Sequence, residues 1–177
     1  MIGLLRFLGI LNAAIWFGAT VFLAVVAHPA FSSLELQNLL GPKNYSFFST
    51  AALHILLSRA AFLQLACGMI AVLHLTAEWL YLGKVPHRHW RSALLVLIFL
   101  SVVNGFWLLP RLRDLNQVRH ASSVSVVQRQ EAEQSFRTVN RVWSGIDFFL
   151  LAGLGVYLWA VSASDSTRLG NSLKFRS

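Results

Sequence analysis

Apolar residues along this chain come in four long blocks that hold few ionisable side chains. Phe7 to Ala27 carries none, and Ala60 to Ala77 carries only His74, beside the neutral thiol of Cys67. Ser92 to Leu109 carries none, and Trp143 to Ser164 has Asp147 as its one charge. Spanning a hydrocarbon layer of roughly 30 Å takes about 20 apolar residues in a helix. An open strand in lipid would leave its amides unpaired. The pattern therefore predicts an all-α membrane protein, a four-transmembrane-helix antiparallel bundle over 1–164. Its helices are expected at about 5–27, 51–82, 92–115 and 127–163, followed by a flexible polar tail over 165–177.

Punctuation along the chain refines this. His28-Pro29 is expected to end the first helix, because the residue before proline is pushed out of the helical region. Phe31, Leu34, Leu36, Leu39 and Leu40 fit a short helix lying in the membrane interface, stopped by Gly41-Pro42. Tyr45, Phe47 and Phe48 resemble an aromatic belt. Helix two runs without a breaker to Gly83, so its first turns, with His54 and Arg59, are expected outside the hydrocarbon. Helix three ends near Pro110 or continues, kinked, through Arg111 and Arg113. Helix four begins in the polar stretch near Val127 and enters the membrane near Trp143. Helices two, three and four thus extend beyond the bilayer. The first block is read as a retained helix, since its apolar run exceeds the usual 7–15 residues of a signal peptide.

Composition agrees with lipid as solvent: 56% of the 177 residues are hydrophobic and only 12% charged, against about 25% charged in ordinary soluble domains. The net charge of +8 does not point to nucleic acid, because the basic residues cluster at block ends, where Lys and Arg anchor helices. The single Cys67 forbids an intramolecular disulfide. Four spans put both termini and the 83–91 turn on one side. That side carries Arg6, Lys84, Arg88, Arg91, Arg168, Lys174 and Arg176; the other carries Lys43, Arg59, Arg111, Arg113, Arg119, Arg129, Arg137 and Arg141. The two sets nearly balance. Arg6 beside the amino terminus therefore sets the expectation of cytoplasmic termini.

Polar groups at membrane depth are the candidate chemistry. On the loop side, His28, His54, Arg59, Asn104, Arg111, Asn140, Arg141 and Asp147 are expected to be neighbours. Asp147 lies about 6 Å of helical rise beyond Trp143 and calls for a cation, for which Arg59 or Arg141 stand at the right height. The simpler reading is an ion pair that fixes helix register. The sharper one is a polar vestibule for an ion or a small anionic or polar solute. On the terminus side, His74 and Glu78 share a helix face at i, i+4, and His87 and His89 follow in the turn. That set could hold a metal ion, or His74 and Glu78 simply hydrogen-bond to another helix. A bis-histidine haem b needs two histidines at one depth, and only His28 with His54 offers that. Asn12, Gln64 and Asn104 are read as interhelical hydrogen-bonding groups. Gly18, Gly68, Gly105, Gly153 and Gly155 are read as close-packing positions.

Several segments together resemble a known family. These are Trp16-Phe17-Gly18, Phe22 and His28-Pro29-Ala30-Phe31, then Asn104 leading into Leu109-Pro110-Arg111. Ser135-Phe136-Arg137, Val142-Trp143-Ser144 and Ala152-Gly153-Leu154 follow. Their order and spacing are similar to the small membrane proteins grouped as transmembrane protein two hundred and five and its bacterial relatives, which form a domain of unknown function. The resemblance covers about 5–163 and implies four helices with a long connection between the third and fourth. Its animal members are associated with tolerance to platinum drugs, which implies export or trafficking. It gives no support to the His74, Glu78, His87 and His89 set.

The expected function is thus a non-enzymatic bundle in a bacterial plasma (inner) membrane, permease-like or accessory, for a small solute or metal ion. One alternative is a structural or assembly subunit that docks other membrane proteins or a second copy of itself. The other is a metal- or haem-binding redox protein. No cofactor is expected on the first reading, and the lipid bilayer is the expected partner.

Overall fold

In the computed structural model, residues 2–82, 88–121 and 124–163 are described, and among them every regular element is helical. The elements are α1 (Ile2–Phe22), α2 (His28–Phe31), α3 (Leu34–Leu40), α4 (Pro42–Leu82), α5 (Arg88–Val102), α6 (Leu109–His120) and α7 (Val126–Ala163). A π-helical turn, Leu23–Ala27, joins α1 to α2, and a second, Val103–Leu108, joins α5 to α6. Backbone angles stay right-handed helical at the residues bounding both turns, so each joined pair forms one rod. Four stretches are long and apolar enough to cross a membrane: Gly3–Phe31, Asn44–Leu80, Arg91–His120 and Val126–Ser162. The 83–87 part of the expected basic turn, with the Gly83 stop, and the tail lie outside the described residues.

The first rod does not stop at His28-Pro29; it runs on to Phe31. The reason lies in the π turn. There the His28 N–H reaches back to the Leu23 carbonyl, and the widened turn absorbs both the donor that proline lacks and the clash of its ring with the preceding turn. The same device carries the third rod past Pro110 to His120, with the Leu109 N–H donating to the Asn104 carbonyl. Both prolines sit in the first turn after a π segment.

The second rod begins at Pro42 rather than near Ala51. Gly41, at φ +72°, ends α3, and its carbonyl accepts from the N–H groups of Asn44 and Tyr45. Helix propagation then needs nothing further, so the aromatic residues expected in a loop ride on α4. Ser33 caps α3 by accepting from the Leu36 N–H at 3.2 Å. Ser125 and Gln128 form a reciprocal box that starts α7, with bonds of 3.3 and 3.4 Å.

Packing places α1 against α4 and α7, and α5 against the same two helices. The main core joins Ala13, Trp16, Cys67, Ala71, Leu94, Leu97, Leu150, Leu154 and Tyr157. A second, smaller core of Leu108, Leu112 and Trp143 lies towards the loop side. Polar ties cross between the rods. Asn12 Nδ2 donates to the Cys67 carbonyl at 2.9 Å, and His74 Nε2–H donates to the Leu5 carbonyl at 2.9 Å. Glycines set the closest approaches: a Cβ at Gly105 would lie 2.6 Å from Ala61 Cβ, and one at Gly153 the same distance from Leu97. Gly18, read from sequence as a packing notch, instead faces open space. Only 17 to 33% of the residues in the most apolar window of each long stretch are buried, and Phe7, Phe22, Phe62, Phe99, Phe106 and Phe149 point outward. An apolar exterior of this extent is foreign to a water-soluble monomer.

Candidate functional site

The loop-side half of the bundle holds three adjoining cavities around the second core. The outermost, about 690 Å³, lies between α4 and α6 and is lined by His54, Ser58, Arg59, Arg113, Asp114, Asn116 and Gln117, with Gly105 and Leu109 at its base. A second, about 250 Å³, is lined by His28, Tyr45, Ser49, His54, Phe136, Asn140 and Trp143 among others. The third is only about 20 Å³ and is walled by Gln64, Asn104 and Asp147 with Leu23, Leu57, Gly105, Leu109 and Trp143. The outer and inner cavities share Gly105 and Leu109, and His54 borders both larger ones.

His54 is buried, with no partner for Nδ1, and lies in the field of Arg113 and Arg119. Arg59 is exposed at the mouth of the outer cavity. Asn104, inside the second π turn, is buried at 6% exposure and its Oδ1 has no partner. Asp147 is half-buried. Among the described residues no ion pair joins it to Arg59 or Arg141; the carboxylate of Glu133, by contrast, pairs with Arg119 and Arg137. The residue whose charge reaches Asp147 is His28, an exposed imidazole stacked on Trp143 at 6.1 Å.

The expected neighbours are therefore split. His54 and Arg59 share the outer cavity, His28, His54 and Asn140 the middle one, and Asn104 and Asp147 the inner one. Arg111 and Arg141 are exposed and line none of the three. Arg113 takes the place expected of Arg111, because two helical residues point about 200° apart. Sequence reasoning also misses Asn116 and Gln117. Their one signal is the turn spacing from Arg113, which needs the direction of the cavity to become legible.

Beside the cavities, Arg119 ties the loop-side ends together. Its guanidinium reaches Glu133 at 3.2 Å, donates to Ser46 Oγ at 3.1 Å and lies 4.6 Å from the Phe136 ring centre. His120 adds Nδ1–H to the Asn116 carbonyl at 3.0 Å and meets Ser46 Oγ through Nε2 at 3.2 Å.

On the terminus side, the His74 ring is occupied by the Leu5 carbonyl, and a Cβ at Gly9 would come within 2.5 Å of its Nε2. Glu78 is half-buried on the same helix. His87 lies outside the described residues, and of His89 only the helical backbone is described. Among the described residues no group of three or more His, Cys, Asp or Glu could hold a metal ion. Comparison with protein-family models, curated proteins and solved structures gave no match.

Proposed function

We propose that the protein is an integral membrane protein of four antiparallel spans that acts, without catalysis, as a permease-like or accessory bundle for a small anionic or polar solute. Antiparallel pairing of the first two rods is supported by three ties that run in opposite chain directions: His74 to Leu5, Cys67 to Asn12, and Tyr45 Oη–H donating to the Phe31 carbonyl. The outward apolar faces fit lipid. The similarity of segment order to the transmembrane protein two hundred and five-like group fits this reading, as does a bacterial inner membrane with cytoplasmic termini.

The outer cavity carries the functional part of the proposal. Its volume of about 690 Å³ falls in the 300–1,000 Å³ range of small-molecule sites. Two arginines, Arg59 and Arg113, line it together with Ser58, Asn116, Gln117 and one acidic residue, Asp114. Planar five-donor forks of this kind grip carboxylate or phosphate oxygens in pairs, while the hydroxyl and amides supply neutral bonds. The purified protein in mild detergent should be stabilised by at least one member of a panel of small organic and inorganic anions. Arg59→Gln and Arg113→Gln should each weaken that effect by about tenfold or more, as loss of a charged hydrogen bond implies. A panel without response, or a response untouched by both changes, would remove the solute reading.

A further inference from the structure

The inner cavity has a different chemistry from the outer one. Its polar lining is Asp147, Asn104 and Gln64, set in a wall of Leu, Ala, Gly and Trp. Asn104 Oδ1 is a buried acceptor with no partner, so at least two acceptor groups border a space of about 20 Å³. That volume exceeds the 10–15 Å³ needed to hold one water, and therefore admits one small particle and no organic solute. No lysine or arginine lines the wall, and His28, whose charge reaches Asp147, is an exposed imidazole outside it. A carboxylate in such surroundings demands a counter-charge.

Both π turns border this space, the first through Leu23 and the second through Asn104 and Gly105. Single π turns within helices occur often at functional sites, because they rotate a side chain out of the regular helical series. Here the second turn is what carries Asn104 into the cavity wall.

We propose that the inner cavity binds one monovalent alkali cation, sodium, through the carboxylate of Asp147 and the amide oxygens of Asn104 and Gln64. Oxygen donors alone select hard cations. One carboxylate with two neutral amides matches a single positive charge, whereas calcium sites gather more carboxylates and magnesium keeps several waters. The site goes beyond the solute reading and stands on other residues. Its adjacency to the outer cavity, through Gly105 and Leu109, makes cation occupancy a means of coupling to whatever binds there.

The test uses the full chain in mild detergent at pH 8, unfolded by heat in sodium, lithium, potassium or choline chloride at equal ionic strength. Sodium should raise the melting temperature saturably, and choline should not. Asp147→Asn should raise the half-saturating sodium concentration at least about tenfold, the ratio that losing one charged ligand implies. Asn104→Ala, which keeps the carboxylate, should raise it by a smaller factor. If Asp147→Asn fails to fold, radioactive sodium binding to Asn104→Ala and the parent chain gives the same comparison. Arg59→Gln should leave the sodium response intact, so a failed solute site and a failed cation site are told apart. Equal melting in sodium and choline would mean that the cavity holds water or a proton only, and would overturn the proposal. An unchanged sodium response in both inner-cavity variants would do the same.

Discussion

Arg119 illustrates how much a single side chain carries at the loop-side end. From α6 it meets Ser46 on α4 and both Glu133 and Phe136 on α7, with only 17% of its side chain exposed. A partly desolvated cation between a carboxylate and a ring is stronger than an open surface pair. Arg119→Gln should therefore lower stability by about 1–2 kcal/mol. A cycle with Glu133→Gln should show coupling between the two positions, read from thermal unfolding in detergent; additive losses would show that the pair does not act as one. His74 is the counterpart at the other end. Replacing it by Leu removes the bond to Leu5 O, and about 1 kcal/mol of stability should go with it. Gly9→Ala should reproduce much of that loss, since its new methyl would press on the same ring. A Gly9→Ala protein as stable as the parent would count against the contact.

Among the elements, glycines separate packing from mere composition. At Gly105 an added methyl meets Ala61 Cβ, an atom fixed close to the backbone, so the two helices must move apart. Gly105→Ala should cost about 1–3 kcal/mol, the usual range for overpacking. Gly18→Ala meets open space and should gain about 0.5–1 kcal/mol from helix propensity. Opposite signs in one denaturation series would support the helix registry described above; equal signs would contradict it. The prolines teach a related lesson. An interior proline costs a helix about 3 kcal/mol, which is why His28-Pro29 reads as a terminus. A π turn placed just before it changes the outcome, and the hydrophobic pattern holds no mark of that turn. The start of α7 was legible to within a residue, Val126 against about 127, whereas Gly41-Pro42, read as the stop of α3, also marks the start of α4, which was expected near Ala51.

On the scale of the whole molecule, the second and fourth long stretches reach 37 residues each, or about 55 Å at 1.5 Å per residue. That is well beyond a hydrocarbon layer of about 30 Å. On the proposed topology the excess lies at the loop-side ends of α4 and α7, beside α6 and the outer cavity. The proposed topology can be read by cysteine labelling in intact cells after Cys67→Ala. Cysteines at Ser33 and Ser125 should react from one side of the membrane and one at Gly3 from the other. Labelling of all three from the same side would refute four spans. Cys67 itself, buried at 3% exposure, should resist a maleimide in the folded protein and react after denaturation.

Sequence by itself determined the class and the number of long helices, because a run of apolar side chains has one economical conformation in lipid and its length is counted directly. It also singled out six polar residues that line the loop-side cavities, His28, His54, Arg59, Asn104, Asn140 and Asp147, since a charge or amide in or beside an apolar block stands out without any knowledge of contacts. Only the tertiary structure decided which of them meet. Direction around a helix turns by about 100° per residue, and a π turn shifts everything beyond it. Small changes in registry therefore put Arg113, not Arg111, into the outer cavity and left Asp147 beside Asn104 and Gln64 instead of an arginine.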